Sequence, residues 1–189
     1  LRVVETALAR ASVTDSGYLN HPDPAALVAA MEPDPQGDWM NYVSQTRFGF
    51  PAGNCGEACL ACLLGCALDD VPVAWNGDMN AATFEEAQPE ERIEAQRRWI
   101  RDVHGAVEVP WKLTPPLPLP LPLSLYQELG RDPSTPHLLT GPNPDGVPHV
   151  VIGQSGAVLW DPNPRRRGIV ECTHIGYLLP VAEADALLT

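Results

Sequence analysis

The chain has 189 residues, a formal net charge of −12 and a pI near 4.6. The length suits one domain or one domain with a small appendage, large enough to bury a core without disulfides. The acidity argues against nucleic acid and anionic membranes as partners, since both reward positive charge. No apolar run approaches the roughly 20 residues of a membrane span.

Residues 1–40 read as an N-terminal extension packed on a main domain of residues 41–189. Within the extension, Val3 to Ala11 could form a short helix. Pro24 to Met31 reads as another, with Asp23 near its cap. Residues 41–54 form an entry segment whose glycines and proline rule out a long helix. Residues 55–66 then follow a helical pattern closed near Gly65. Residues 84–103 read as a second, charged helix, with a partial apolar stripe of Ile93, Trp99, Ile100 and Val103.

Val107 to Leu113 alternates like a strand. Thr114 to Leu123 alternates proline and leucine, which implies extended, polyproline-like chain. A semi-rigid connector with its leucines against the body is the plain reading, and a surface for a protein partner is the sharper one. Leu125 to Leu129 suggests one helical turn. His137 to Gly141 is a short strand. His149 to Gly153 and Ala157 to Asp161 flank Gln154-Ser155-Gly156 as a hairpin. Ile169 to Tyr177 and Val181 to Leu188 read as a last strand and a terminal helix.

Four of the five cysteines fall within residues 55–66. That crowding on one helix is not a disulfide framework, so a reducing cytoplasm is the expected setting. Cys55 stands at the helix start between Gly53-Asn54 and Gly56. Unpaired N–H groups and the helix dipole favour a thiolate there, and the glycines let a substrate approach. Cys55 is therefore the candidate nucleophile. Cys59, Cys62 and Cys66 share its stripe and read as small buried hydrophobes.

The spacing Cys55-x3-Cys59-x2-Cys62 also matches the cluster-binding fingerprint of radical S-adenosylmethionine enzymes. That motif needs a loop around one cluster, whereas a helix strings the sulfurs along its axis. A zinc site meets the same difficulty. No cofactor is expected.

A thiolate nucleophile needs a base and an oriented imidazole. His149 opens a strand after a glycine- and proline-rich loop and is the best placed of the five histidines. His137 is a second candidate. His21 and His104 read as surface residues and His174 as structural. With a three-residue hairpin loop, His149 faces Asp161, which can fix its tautomer. A two-residue loop puts the two on opposite faces. The backbone N–H of Cys55 and an upstream side-chain amide, Gln45 or Asn54, could bind an oxyanion. Gln45 is preferred, because Asn54 adjoins the nucleophile and caps the helix or points away. Gly56, Asn54 and Arg166, from the one basic run, are candidate substrate contacts.

Gln45-Thr-Arg-Phe, Gly53-Asn-Cys-Gly-Glu-Ala-Cys, Val147-Pro-His-Val-Val-Ile-Gly and Leu159-Trp-Asp-Pro-Asn-Pro together resemble the small papain-like cysteine peptidases. The bacteriocin leader-processing type and its phage and bacterial relatives look most similar. The resemblance implies an α+β fold with the cysteine helix on an antiparallel sheet. It also implies Cys55 as nucleophile, His149 as base, Asp161 as orienter and Gln45 as oxyanion donor, with a peptide or protein substrate. Acyl transfer to an amine at the same site, and a non-catalytic protein-binding module, are the alternatives.

Overall fold

The computed structural model describes residues 40–48, 53–74 and 90–187. The expected helices of the N-terminal extension and the start of the second helix lie outside these residues.

The described chain is α+β. Helix α1 (Cys55–Leu64) is followed by a 3-10 turn (Leu68–Asp70) and helix α2 (Glu90–His104). Strand β1 (Ala106–Pro118), helix α3 (Leu123–Glu128), strands β2 (His137–Pro142), β3 (Pro148–Gln154), β4 (Ala157–Trp160) and β5 (Glu171–Pro180), and helix α4 (Val181–Leu187) complete it. The five strands form one antiparallel sheet in the order β1-β5-β2-β3-β4.

Side-chain alternation along the strands divides the core in two. Leu138 and Ile152 join Cys59, Leu60 and Cys62 of α1 and Ile100 of α2 on one face. Leu139, Val151 and Ile175 join Tyr126 of α3 and Ala184 of α4 on the other. Helix α1 ends at Gly65, whose φ of 67° supplies the left-handed C-cap. Val103, expected on the apolar stripe of α2, is 62% exposed, while Ile100 is fully buried. The stripe is narrower than the sequence suggested because the helix meets the sheet through one row of side chains.

The first half of the proline–leucine run, to Pro118, is strand rather than free polyproline chain. Leu117 and Pro118 pair with Cys172 and Glu171 after an irregularity that begins at Lys112. Proline cannot donate to a ladder and so is confined to sheet edges. β1 is an edge strand, with a neighbour on one side only. Leu117, Leu119 and Leu121 turn into the core, and the intervening prolines stay exposed.

The hairpin between β3 and β4 corrects the expected loop. Gln154 pairs with Ala157, so the loop is the two residues Ser155 and Gly156. Their φ values of 51° and 84° are the positive pair a type I′ turn requires. Alone, that loop would put His149 and Asp161 on opposite faces. A bulge restores the match: Gly153 pairs with Val158 but Ile152 with Trp160, so Leu159 is an extra residue in β4. Asp161 follows β4 directly, and its carboxylate meets His149 at 2.8 Å.

Candidate functional site

Three chain segments meet at Cys55. The first is the start of α1. Asn54 precedes it with φ −114° and ψ 36°, and no side chain caps the helix. The half-buried Cys55 thus sits among first-turn N–H groups with no side-chain acceptor. The second segment is the start of β3, where His149 pairs with Gly141 of β2 and is 6% exposed. A side chain at 141 would run into the Glu171 carbonyl, so only glycine lets the strands close here. The third is the end of β4, carrying Asp161. Helix and strand are joined next to the site, since Cys59 Sγ donates to the Val150 carbonyl at 3.5 Å.

His149 Nε2 lies 2.8 Å from Asp161 Oδ1. A carboxylate only accepts, so Nε2–H donates. The other ring nitrogen is left for Cys55, whose side chain acts electrostatically on His149. The ring is therefore used in the opposite sense to the serine-protease template, where the aspartate holds Nδ1.

Burial pulls the His149 pKa down, but the hydrogen bond to Asp161 and the charges of Cys55 and Asp161 outweigh it, lifting it to about 9. Asp161 is 5% exposed. Burial alone would raise its pKa. The His149 bond and the Gly168 and Asn163 backbone N–H groups, both at 2.8 Å, hold it below the usual carboxylate value instead. The loop after Asp161 thus folds back to supply donors to its carboxylate.

Gln45 also reaches the site despite the ten-residue separation from Cys55. Its backbone N–H donates to the Pro162 carbonyl at 3.0 Å, anchoring it beside the Asp161 loop. Its Nε2 donates one hydrogen to the Arg47 carbonyl at 3.0 Å and keeps a second. Gln45, Cys55, Gly56 and His149 line one cleft of about 610 Å³.

Asn54 does not line that cleft. Its Oδ1 accepts from Thr46 N–H at 3.1 Å and Arg47 N–H at 2.9 Å, and its Nδ2 donates to Thr46 Oγ1 at 3.2 Å. It latches the entry segment to α1 rather than capping the helix or meeting a substrate. Replacing Asn54 by alanine removes three bonds at a buried position. The expected loss is about 2 kcal/mol, read as a lower urea midpoint; an unchanged midpoint would mean the backbone bonds alone hold the segment.

Arg166 is also displaced from its expected role. With φ 46°, its guanidinium stacks over the Trp160 ring at 4.7 Å, and it is Arg165 that lines the cleft. His137 is a core residue. It is fully buried, stacks on Tyr177 at 4.7 Å and bonds Tyr126 Oη and the Thr135 carbonyl. Cys59 and Cys62 are buried as expected, and Cys66 is half-buried. Among the described residues, no three His, Cys, Asp or Glu side chains converge in a way that could hold a metal ion. Among them, too, no helix is long and apolar enough to cross a membrane.

Glu57 and Glu108 are among the cleft residues that were not candidates from the sequence. Glu57 follows Asn54 by three, the spacing of a capping box, which was the available signal. It reaches instead to the Ala74 N–H at 3.3 Å. Glu108 alternates with Val107 and Val109, which suggests a solvent face, but it is half-buried and lines the cleft. No family model, curated protein or solved structure matches the chain.

Proposed function

We propose that the protein is a cysteine hydrolase of papain-like type, cleaving an amide or peptide bond through an acyl-enzyme on Cys55. The observation that carries this reading is the chain of contacts Cys55–His149–Asp161 at the wall of an open cleft. Such a relay has no packing purpose, because a buried histidine and carboxylate stabilise a fold less well than apolar residues of like size.

In the first half-reaction Cys55 Sγ, its proton held by His149, attacks the substrate carbonyl carbon. A C–S bond forms, and the oxyanion is met by the Cys55 N–H and the second hydrogen of Gln45 Nε2. The C–N bond then breaks, and His149 delivers its proton to the leaving amine. In the second half-reaction water attacks the thioester as His149 takes its proton. The C–S bond breaks, an acid leaves and the thiol side returns to its starting state. Asp161 keeps the imidazole oriented throughout and stays a carboxylate.

The test is acylation with p-nitrophenyl acetate. A burst of about one p-nitrophenolate per chain is expected, with one acetyl group on Cys55 by peptide mass spectrometry. Absence of the burst, or a burst that survives Cys55→Ala, would sink the proposal.

A further inference from the structure

The cleft is not chemically uniform. Besides Cys55 and His149 it is lined by Gly56 and Glu57 of α1, Glu108 of β1 and Thr140 of β2. Asn163 and Arg165 line it as well. Asp145 also lines the cleft, but it is paired with Arg167. Among the described residues, Glu57 has few donors and Glu108 has none.

Glu108 has no hydrogen-bond or ion-pair partner among the described residues. The nearest cation in its field, Arg97, is engaged 2.6 Å from Glu94 on its own helix. Glu57 is 4% exposed, with the long bond from Ala74 N–H, one from its own backbone and the charge of Arg47 in its field. Gln45, 5% exposed in the same cleft, has an Oε1 with no partner at all. Gly176 of β5 keeps room for the Glu108 carboxyl: a Cβ there would lie 3.1 Å from Oε1.

We propose that Glu108, with Glu57 in the same cleft, receives the cationic side chain, lysine or arginine, of a peptide whose scissile bond lies at Cys55. The inference rests on the reading of Cys55 as a nucleophile and extends it to substrate class. Partly buried carboxylates short of donors are costly, and an ammonium or guanidinium brings three to five donors. Burial raises the pKa of both Glu57 and Glu108. A docked cation would restore their charge and form charge-assisted hydrogen bonds. The net charge of −12 draws cationic substrates toward the molecule in the same sense.

The experiment compares two pairs of peptidyl chloromethyl ketones. One pair carries lysine at the residue next to the ketone or at the one before it. The other carries norleucine, which has similar reach and no charge. Alkylation rates of Cys55 in the full chain are followed by intact mass. Lysine is expected to be favoured about 10-fold or more at one of the two positions. In Glu108→Gln the lysine-to-norleucine ratio should fall toward one, and in Glu108→Asp it should partly persist. Circular dichroism checks that both variants fold.

Selective alkylation of Cys55 with equal lysine and norleucine rates would overturn the cationic subsite and leave the nucleophile standing. A preference that survives intact in Glu108→Gln would overturn the role of Glu108. Iodoacetamide labelling of all five cysteines at equal, slow rates would overturn the nucleophile and with it this inference.

Discussion

Alkylation of Cys55 by iodoacetamide at pH 7 slows about 100-fold when His149 is replaced by alanine. In the intact site His149 is held as an imidazolium, its pKa near 9 against a usual 6.5, and it faces Cys55. Removing it leaves the sulfur with the helix start alone. The other cysteines provide an internal control. Burial pushes the thiol pKa of Cys59 well up, raises that of Cys62, and takes that of Cys172 to about 11. Burial and then the Asp70 charge raise that of Cys66. Labelling of the wild type should therefore fall on Cys55 first. Tryptic peptide mapping over a time course gives all five rates at once. A His149→Ala rate at Cys55 equal to wild type would show that the two side chains do not act together.

Asp161→Ala is expected to lower stability by about 3 kcal/mol near neutral pH. It leaves the buried His149 without its counter-charge and the N–H groups of Asn163 and Gly168 without their acceptor. Urea denaturation of both proteins across a pH series provides the check, and the pH dependence has a definite sign. The folded pKa of His149 is raised from 6.5 to about 9. Its contribution is full below pH 6.5 and is lost as pH rises through 9. The folded pKa of Asp161 is depressed below 3.8, so its contribution is present above 3.8 and is lost as pH falls through its folded value. The gap between wild type and Asp161→Ala should be widest between pH 3.8 and 6.5 and narrow toward pH 10. A gap that stays constant from pH 6 to pH 10 would mean that His149 carries no charge in the folded protein.

The two predictions probe one relay from opposite ends. Cys55 reports the chemistry that His149 provides, and Asp161 reports the stability that orienting His149 requires. An active relay with a weak stability effect would point to water near Asp161. A strong stability effect without thiol activation would point to a buried ion pair and no more.

Much of this was legible in the sequence because it is local. The helical run after Gly53-Asn54, its glycine cap and the cysteine at its mouth follow from propensity and capping chemistry acting over a few residues. The strand alternation at His149 and the turn residues that follow mark a hairpin in the same way. These features are enough to bring Cys55, His149 and Asp161 forward as candidates.

Tertiary structure decided the rest, because it depends on which distant groups compete for the same partners. Asn54 looks like a cap, but two backbone N–H groups of the entry segment claim its side-chain oxygen. Arg166 looks like an anion contact, but the Trp160 ring takes its guanidinium. The proline–leucine run looks like free polyproline chain, but an edge position beside β5 lets it pair without N–H donors. An extra residue at Leu159 shifts the register just before Asp161, and no turn rule could have announced that bulge. Glu108 looks like a solvent residue, yet it is half-buried and lines the cleft. Local chemistry alone made Cys55, His149 and Asp161 the candidates; long-range packing alone decided what holds them and what kind of guest the cleft beside them would suit.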